Sequence, residues 1–278
     1  MRRNKIKNKR ILITGGAGSI GSELVRQLCL NNRVYIFDIN ETAMFDLVEE
    51  LKQKKYKVEG RVGDVRDIST VREVFLEFKP QYTFHCSALK HVTPGEWNPD
   101  EYIKTNSLGT WNVLQCCKNT NTNIVYISTD KVIHSNSIMG ITKRLGEVMV
   151  KNAGGVAVRF GNVLGSRGSV IPLWQGQMDR GESIKVTDER MTRYFMTIPE
   201  ACELVIEAAT SSKGGEIMIM DMGNPVKIID LARKIIEEAK YDKDIEIIGI
   251  RPGETLNERL MTEEEELVAE KRGKFYVL

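Results

Sequence analysis

Two spacings of apolar residues alternate along the chain up to about residue 165. Short runs rich in β-branched residues are typical of buried strands, and the segments between them carry apolar residues at helical spacing. This alternation predicts a parallel sheet covered by helices on both faces. The predicted strands are RILIT, RVYIFD, YKVEGRVGD, QYTFHCS, NIVYIS and VAVRFGNV, and the predicted helices are SIGSELVRQLCL, ETAMFDLVEELKQK, ISTVREVFLEFK, PDEYIKTNSLGTWNVLQCCKN and MGITKRLGEVMVKN.

The pattern changes after Gly165, where a Gly-rich, turn-prone stretch precedes two helices, one entered through Pro199 and the other read from VKIIDLARKIIEEAK. We therefore predict an α/β fold. A Rossmann-like doubly wound parallel sheet occupies residues 9–165, and a smaller C-terminal substrate-binding lobe, interleaved with it, occupies 166–278. Residues 1–8 form a basic tail, and TEEEE near the C-terminus forms a solvated helix face.

Composition narrows the function classes. The chain has 278 residues, of which 41% are hydrophobic, and this is enough for a large core. Its net charge of +2 argues against a nucleic-acid partner. The first ten residues, MRRNKIKNKR, carry six basic side chains, which indicate a solvated tail or, alternatively, a contact with an anionic membrane surface or partner. No apolar run approaches the ~18 residues of a membrane span, so we expect a soluble, cytoplasmic protein.

Cysteine and histidine spacing gives no indication of a metal. The five cysteines form no C-x-x-C pair, and the three histidines are scattered. Both observations are typical of a protein in a reducing compartment without zinc or a disulfide frame. The residues are Cys29, Cys86, Cys116, Cys117, Cys202, His85, His91 and His134.

A glycine-rich turn follows the first predicted strand and opens the first predicted helix, in ILITGGAGSIGSELV. Gly16, Gly18 and Gly21 satisfy G-x-G-x-x-G, while Gly15, Gly18 and Gly21 satisfy G-x-x-G-x-x-G. Such glycines permit a tight turn and close approach of the backbone to a pyrophosphate at the helix N-terminus, here at Ser19 and Ile20. The sequence therefore predicts a dinucleotide site.

Two acids follow this turn at the ends of the second and third predicted strands. Asp38 can accept hydrogen bonds from both ribose hydroxyls and would repel a 2′-phosphate, so NAD is favoured over NADP, although NADP stays possible. The alternative is that Asp38 caps the next helix. Asp64, followed by Val65, is expected near the adenine.

The stretch STDKVIHSNSIMGITK has Met139 four residues before Lys143, where many nucleotide-dependent enzymes have Tyr-x-x-x-Lys. A thioether cannot act as an acid or base, and none of the eight tyrosines precedes a lysine by four residues. Thr129, Asp130 and Lys131 follow the fifth predicted strand, at the edge where open parallel sheets bind ligands. The alternatives are a surface ion pair between Asp130 and Lys131 and a purely structural Met139.

In these motifs the chain resembles the extended short-chain dehydrogenase/reductases. More narrowly, it is similar to the nucleotide-sugar dehydratases of the capsule-polysaccharide and flagellin-glycan type, which act on UDP-N-acetylglucosamine. Ser87 stands where the family has alanine, and VIHSNS lacks the family's proline. The matching stretches are ITGGAGSIGSEL, KHVTPGEWNPDEYIKTNSLGT, STDK, MGITKRLGE, VRFGNVLGSRGSVIPLW, MTRYFMTIPEA and RPGETLNERL.

The resemblance implies a 4,6-dehydration. Hydride leaves sugar C4 for the nicotinamide, water is eliminated across C5 and C6, and hydride returns to C6. Lys131 would be the C5 base, Asp130 the acid toward the C6 hydroxyl, and Thr129 a partner of the C4 hydroxyl. Lys143 would hold the nicotinamide ribose beside an apolar wall formed by Met139. These roles require Lys131 to be partly neutral and Asp130 partly protonated.

Other residues receive binding roles from the same resemblance. Arg193 and Arg251 would bind the diphosphate, and Arg167 the phosphate or the uridine end, although any one of them could be a structural ion pair. Asn162 is expected at the diphosphate or sugar, Glu254 at the uridine ribose, and the SVIP stretch at the uracil. The cofactor residues are completed by Val65, Ser87, Ala88, Lys90 and Asn106, and the substrate residues by Lys90, Glu96 and Val170.

Several alternatives stay open at this stage. Hydride could return to C4, which leaves a 5,6-ene, or C5 could be inverted as it is protonated. A 4-epimerase is disfavoured because Asp130 and Lys131 would serve no elimination. A non-catalytic dinucleotide-binding regulator, with nucleic acid on its basic tail, is the alternative of another class. By analogy with the family we expect a homo-oligomer.

Overall fold

The computed structural model describes residues 6–133 and 135–278. The strands are β1 (Arg10–Thr14), β2 (Arg33–Asp38), β3 (Val58–Val62), β4 (Tyr82–His85), β5 (Asn123–Ile127), β6 (Val156–Arg159), β7 (Asn162–Leu164), β8 (Ile184–Val186), β9 (Thr192–Arg193), β10 (Phe195–Thr197), β11 (Glu216–Met220), β12 (Val226–Lys227), β13 (Ile245–Ile247), β14 (Glu270–Arg272) and β15 (Phe275–Val277).

Helices connect these strands. They are α1 (Ser19–Leu28), α2 (Glu41–Gln53), α3 (Ile68–Phe78), α4 (Val92–Trp97), α5 (Pro99–Tyr102), a π-helix (Ile103–Gly109), α6 (Thr110–Thr120), a 3₁₀ turn (Asp130–Val132), α7 (Ile138–Asn152), α8 (Val170–Asp179), α9 (Ile198–Ser211), α10 (Ile228–Ala239) and α11 (Glu263–Val268).

A nine-stranded sheet forms the centre of the molecule, in the order β14-β15-β11-β6-β5-β4-β1-β2-β3. The seven strands from β11 to β3 run parallel, and β15 and β14 add an antiparallel edge. The order reverses between β1 and β4, which is the switch point where doubly wound sheets bind ligands at the carboxyl ends of their strands. The predicted Rossmann-like fold class is confirmed.

Side-chain alternation along β1 distributes the core over both faces of the sheet. Ile11 and Ile13 pack in one apolar cluster with α1, α2 and α9, while Leu12 packs in the opposite cluster with α3 and α6. All three are at most 1% exposed. The sheet is therefore covered on both faces, as the near-continuous apolar pattern of its strands predicts.

The part of the chain after residue 165 divides between two places. β11, β14 and β15 complete the main sheet, and α9 packs against α1. A third apolar cluster around Trp174, Ile184 and Ile229 joins α8, β8 and α10 beside it. The short pairs β7–β10, β9–β12 and β8–β13 link this cluster to the sheet's carboxyl edge.

Three segments differ from the predicted elements. The single long helix expected after Trp97 is interrupted by the π-helix, a feature that often marks functional sites. The turn-prone stretch after Gly165 contains α8, because Pro172 lies in the first turn, where its missing N–H costs little, and Trp174 is fully buried. The final charged segment contains a capped short helix and the β14–β15 hairpin.

The N-terminal segment packs against the core at a residue inside the predicted basic tail. Of the predicted basic tail, residues 1–5 lie outside the described part of the chain, as does His134. Ile6 is 3% exposed and packs in the core, and Asn32 donates a hydrogen bond to its carbonyl. Ile6 therefore belongs to the core and not to the basic tail predicted for residues 1–8.

Across residues 6–133 and 135–278, every helix is too short or too polar to cross a bilayer. Within the same residues, no three side chains among His, Cys, Asp and Glu meet in an arrangement that could hold a metal ion.

Candidate functional site

The glycine-rich turn joins β1 to α1 at the switch point. Gly15 adopts a φ of +65°, in the left-handed region that favours glycine. A Cβ on Gly21 would lie 2.1 Å from the Gly15 carbonyl oxygen, so the helix can approach the turn only without a side chain there. α1 begins at Ser19, with Ile20 next in its first turn, and its free N–H groups point to where a pyrophosphate would bind.

Asp38 lies behind this turn, at the end of β2. Its Oδ2 accepts from the Ala17 N–H at 2.8 Å, and its Oδ1 accepts from the Asn40 N–H at 2.9 Å. Asn40, not Asp38, caps α2, since its Oδ1 accepts from the Ala43 N–H at 3.0 Å. A carboxylate has about four acceptor positions, so Asp38 retains capacity for ribose hydroxyls. The turn and this acid together fit a dinucleotide.

Asp64, which is expected near the adenine, is already paired with Arg66. Its two oxygens accept from the Arg66 backbone N–H at 2.9 Å and from Arg66 Nε at 2.7 Å. Burial alone raises the pKa of Asp64, but the contacts with Arg66 outweigh it and the pKa is lowered. Val65 is buried and packs against the end of the π-helix at Gly109.

Asn106, in the π-helix, supports the site from behind. Its amide donates to the Leu89 carbonyl at 2.9 Å and to Thr142 Oγ1 at 3.1 Å, and its oxygen accepts from the Leu89 N–H at 2.8 Å. This fully buried side chain therefore fixes the loop that carries Ser87, Ala88 and Lys90; the expected direct contact with the cofactor is replaced by bonds to the protein. The backbone of Ser87 lies against Gly15.

Met139 and Lys143 lie one turn apart on α7, and both are buried. The Lys143 ammonium donates to the Ile127 carbonyl and stands 4.1 Å from the centre of the Tyr126 ring. Burial lowers the pKa of Lys143 to about 7. Met139 is 2% exposed, so it is a core side chain at the position of the usual tyrosine. Lys143 thus sits at the carboxyl end of β5, and its expected contact with a nicotinamide ribose stays a prediction.

Glu96 and Ser137 hold the start of α7. The Glu96 carboxylate accepts from the Ile138 N–H at 2.9 Å, and Ser137 Oγ accepts from the Gly140 N–H at 3.1 Å. Glu96 therefore caps α7 through one carboxylate oxygen, and its expected role at a sugar hydroxyl stays a prediction.

Asp130 and Lys131 form an ion pair directly after β5, with Asp130 buried and the Lys131 side chain 24% exposed, so the pair is not the surface ion pair of the alternative interpretation. Asp130 is 1% exposed, and its Oδ1 accepts from Thr129 Oγ1 and from Lys131 Nζ, each at 3.0 Å. Its Oδ2 is buried and has no hydrogen-bond partner among the described residues. A Cβ on Gly161 would lie 3.0 Å from this oxygen. An acid oxygen left free in this way is available to a ligand.

The three donors of Lys131 Nζ are all used. They reach Asp130 Oδ1 at 3.0 Å, Asn162 Oδ1 at 3.3 Å and Glu258 Oε1 at 2.8 Å. Burial lowers the pKa of Lys131, but the attraction of Asp130 and Glu258 outweighs burial, and the pKa is raised. This direction is opposite to the one that the expected, partly neutral form of Lys131 requires.

The protonation expected for Asp130 does agree with the structure. Burial raises its pKa, the nearby ammonium of Lys131 lowers it, and Glu258 raises it, with a result of about 7. The structure therefore favours the protonated form of Asp130, the form that an acid toward a leaving hydroxyl requires.

Glu258 was not predicted as a site residue, although RPGETLNERL contains it. Its side chain is 5% exposed, and besides Lys131 it meets Arg193 Nε at 3.1 Å and Asn162 Nδ2 at 3.1 Å. Burial raises the pKa of Glu258, but Lys131, Asp130 and Arg193 together lower it to about 2. A glutamate in a charged segment gives no sequence signal of this kind, because its partners come from β5, β7 and β9.

The three predicted arginines occupy different surroundings. Arg193 donates to the carbonyls of Thr255 and Leu256 at 2.8 and 3.0 Å, so its guanidinium fixes the C-terminal segment and the expected contact with a diphosphate is replaced. Arg167 lies across the glycine-rich turn, where its guanidinium donates to the Ala17 carbonyl; its expected contact with the phosphate or the uridine end stays a prediction. Arg251 is exposed.

The remaining predicted residues lie around the same edge of the sheet. Lys90 donates to the Arg167 carbonyl at 2.6 Å, and burial together with Arg167 and Lys131 lowers its pKa. Val170 begins α8 after Ser169. The buried oxygens Ser169 Oγ and Glu254 Oε2 lack a hydrogen-bond partner among the described residues. Like Asp130 Oδ2, these atoms are available to a ligand.

A second buried charge cluster lies next to the site. Arg159, on β6, binds both oxygens of Glu147 at 2.9 and 3.0 Å and both oxygens of Glu265 at 2.6 and 3.1 Å. Ser128 donates to Glu147 at 2.6 Å, and Arg144 closes the cluster at its rim. We call these five residues the support cluster; the site cluster is Thr129, Asp130, Lys131, Asn162, Arg193 and Glu258.

Comparison with known proteins places this geometry in context. A family model described as "Polysaccharide biosynthesis protein" matches residues 11–278. The capsular polysaccharide biosynthesis protein CapD of Staphylococcus aureus is 43% identical over 94% of this chain and 46% of its own length. The chain thus spans about half the length of this curated relative.

Two further similarities cover most of both chains. A UDP-glucose 4-epimerase of Rickettsia prowazekii is 32% identical over 97% of this chain and 82% of its own. The crystal structure of Pen from Bacillus thuringiensis superposes with a TM-score of 0.91 at 34% identity, and the match covers 98% of this chain and 88% of that one.

Proposed function

Because the chain belongs to the polysaccharide biosynthesis protein family of extended short-chain dehydrogenase/reductases, we propose that it is a nucleotide-sugar dehydratase for UDP-N-acetylglucosamine. Its product would be a UDP-4-keto-6-deoxy sugar for a surface or flagellar glycan. The observation that carries the proposal is the buried Asp130, with one oxygen free and a pKa near neutrality, next to Lys131 and Lys143 at the sheet's carboxyl edge.

The cofactor in this proposal is NAD. The glycine-rich turn leaves room for a pyrophosphate, and the Asp38 carboxylate favours ribose hydroxyls over a 2′-phosphate. Arg167 lies beside that turn and would add a cation at the pyrophosphate. The chemistry supplied by a bound nicotinamide is reversible hydride transfer, from sugar C4 and back to C6.

The chain's own residues supply the proton transfers of the elimination. Oxidation at C4 acidifies the C5 hydrogen. Lys131, once neutral, takes this proton; the C5–H electron pair forms the C5=C6 bond, the C6–O bond breaks, and Asp130 donates its proton to the departing oxygen, which leaves as water. Thr129, which donates to Asp130 in the structure, would turn toward the C4 hydroxyl.

The raised pKa of Lys131 adds a condition to this mechanism. Lys131 must first lose a proton, although its ammonium contacts three acceptors that favour the charged form. Asp130, whose pKa is about 7, must keep its proton until the C6–O bond breaks. Because the base has the higher pKa and the acid the lower one, the productive form, with neutral Lys131 and protonated Asp130, is a minor form at every pH. Activity therefore falls below the pKa of Asp130 and again above that of Lys131, which gives a bell-shaped pH profile with a broad top.

Alternative products use the same residues. Return of hydride to C4 gives a 5,6-ene, and protonation of C5 from the opposite face gives an inverted sugar. A 4-epimerase is less favoured, although the Rickettsia relative bears that name, since epimerisation needs no acid toward C6. A non-catalytic regulator would give no role to the free Asp130 oxygen.

The test is incubation of the purified protein with UDP-N-acetylglucosamine, without added reductant, followed by proton NMR. A new C6 methyl doublet with a hydrated 4-ketone is the expected result, and the C5 couplings give the stereochemistry. Vinyl protons without a ketone would identify the 5,6-ene. Unchanged substrate, with dinucleotide bound and with other UDP- and dTDP-sugars also inert, would reject a dehydratase.

A further inference from the structure

The C-terminal segment that carries Glu258 is fixed to the protein on both sides of it. On the N-terminal side, Arg193 donates to the carbonyls of Thr255 and Leu256 at 2.8 and 3.0 Å, and the Thr192 N–H donates to the Leu256 carbonyl at 3.0 Å. On the C-terminal side, Arg159 donates to the Leu260 carbonyl at 2.9 Å. These bonds determine the position of the Glu258 carboxylate within the site.

Two carboxyl groups, of Glu258 and Asp130, face one ammonium in this enclosure. Glu258 Oε1 meets Lys131 Nζ at 2.8 Å, and Asp130 Oδ1 meets the same atom at 3.0 Å. The side chains of Glu258 and Asp130 are 5% and 0% exposed. Two carboxylates that share a buried site cannot both ionise easily, so a proton is retained on one of them.

The neighbouring donors decide which of the two retains it. Glu258 has, besides Lys131, the charged Arg193 at 3.1 Å and the amide of Asn162 at 3.1 Å. Asp130 has, besides Lys131, the hydroxyl of Thr129 and a hydrogen bond shared with Glu258 itself, and its Oδ2 has no other donor among the described residues. The negative charge is therefore better stabilised on Glu258, and the proton remains on Asp130.

We propose that Glu258 is a positioning residue of the dehydration: its buried carboxylate keeps the proton on Asp130 and holds Lys131 Nζ beside it. The proposal rests on the proposed function, in which Asp130 is the acid and Lys131 the base. Glu258 touches neither substrate nor cofactor in this role. It acts through the other two side chains.

The charge balance of the elimination agrees with this role. Before the step, Lys131 is neutral, Asp130 is protonated and Glu258 is ionised. Afterwards Lys131 holds the C5 proton as an ammonium, Asp130 is a carboxylate and Glu258 is unchanged, so the net charge of the three groups is constant. Glu258 stabilises the ammonium as it forms, which makes neutral Lys131 a stronger base.

The test compares the dinucleotide-bound wild type with Glu258→Gln, Glu258→Asp and the matched control Glu263→Gln. Glu263 lies in the same segment, is 80% exposed and pairs only with Arg259 among the described residues.

The first readout needs no turnover. It is an infrared pH titration of the buried carboxylic acid, whose band is assigned to Asp130 by its absence in Asp130→Asn. We expect Glu258→Gln to lower the midpoint of this band by roughly one pH unit or more, because a neighbouring negative charge is removed. Glu263→Gln should leave it in place.

The second readout is the reaction itself. For Glu258→Gln we expect kcat to fall about 10²-fold, the magnitude of one lost proton transfer, with KM within about threefold. The low-pH limb of its pH profile, which the lower pKa of the pair sets, should move to lower pH. In a single turnover it should accumulate reduced nicotinamide, since C4 oxidation does not need the Asp130 proton. Glu258→Asp keeps the charge and should recover part of kcat and the infrared midpoint.

The outcomes are distinguishable. A folded Glu258→Gln protein with an unchanged Asp130 midpoint would overturn the proposal, whatever its activity. If Glu258→Gln does not fold, Glu258→Asp decides, because loss of the Asp130 proton in that variant contradicts a role for the charge. If the wild type is inert toward all nucleotide sugars, the proposed function fails, while the infrared titration still tests whether Glu258 holds the proton on Asp130.

Discussion

The site cluster and the support cluster lie side by side and are built from the same kinds of residue, yet their hydrogen bonding differs. In the support cluster, Arg159 is fully buried and binds both oxygens of Glu147 and both of Glu265. In the site cluster, Asp130 is equally buried, but its Oδ2 has no partner among the described residues. A satisfied buried network supports a fold, whereas an unsatisfied one keeps a reactive group available.

The two clusters alternate along the same stretches of chain. Ser128 belongs to the support cluster and Asp130, two positions later, to the site cluster. The C-terminal segment does the same, with Glu258 in the site and Glu265 in the support. The saturated network therefore anchors the two segments whose ends meet in the reactive one.

The largest effect should come from the site cluster and should appear in activity only. Asp130→Asn removes the acid but keeps the shape, so we expect kcat to fall about 10²–10⁴-fold without a loss of unfolding free energy. Steady-state kinetics and urea denaturation measure the two effects. A large loss of stability with retained activity would assign Asp130 to structural support.

The support cluster should show the opposite response. Arg159→Met leaves the buried Glu147 and the largely buried Glu265 without their guanidinium, which should lower the unfolding free energy by about 3–5 kcal/mol. The matched control is Arg259→Met, which removes an arginine that is 40% exposed and should stay within about 0.5 kcal/mol of wild type. Equal denaturation midpoints for the two variants would contradict the role given to Arg159.

The clusters should also respond to pH with opposite sign. Burial raises the pKa of Asp130 from 3.8 to about 7, so its contribution to stability is complete at low pH and is lost as pH rises through 7. Glu265 has a lowered pKa, because the contacts with Arg159 and Arg144 outweigh burial, so its contribution is present above its ordinary pKa and is lost on acidification. Between about pH 4 and 7 the unfolding free energy of the wild type should therefore decline by an amount on the order of a few kcal/mol. Denaturation of Asp130→Asn over the same pH range should not show this decline.

Glu265→Gln is the complementary variant. Its unfolding free energy should lack the fall on acidification that ionised Glu265 gives to the wild type. If both variants keep the wild-type pH dependence of stability, other groups control it and the contrast between the clusters fails.

The smallest effect is expected at the rim of the support cluster. Arg144 is 36% exposed, and the two carboxylates it meets keep Arg159 as a partner. Arg144→Met should therefore cost about 0.5–1 kcal/mol. A loss as large as that of Arg159→Met would extend the buried part of the cluster to its rim.

The sequence predicted best what is local along the chain. The glycine-rich turn, Asp38 and the Thr129–Lys131 stretch each follow a strand with a strong apolar pattern, so the topology of a parallel sheet brings them to one edge. The single long helix after Trp97 was predicted in place but not its π-helical interruption, because a tertiary contact of Asn106 with Leu89 accompanies it.

What the sequence did not predict is the partner of each polar side chain. Asn106, Glu96 and Arg193 were expected to contact ligands, and in the structure they bind backbone groups of the protein itself. The place of Glu258 in the site is not predicted either, since nothing in a charged segment indicates which glutamate is buried. Only the three-dimensional arrangement decides whether a polar group at the edge of a site binds the ligand or the chain.

The position of β15 between β11 and β14 bears on how the protein is made. Residues that pair β1 to β6 leave the ribosome well before β15 and Glu258. A nascent chain can thus assemble β1 to β6 early, whereas the site cluster waits for pairings between distant segments, the slow class of contacts in folding. On the proposed function, binding of the dinucleotide during synthesis should precede catalytic competence.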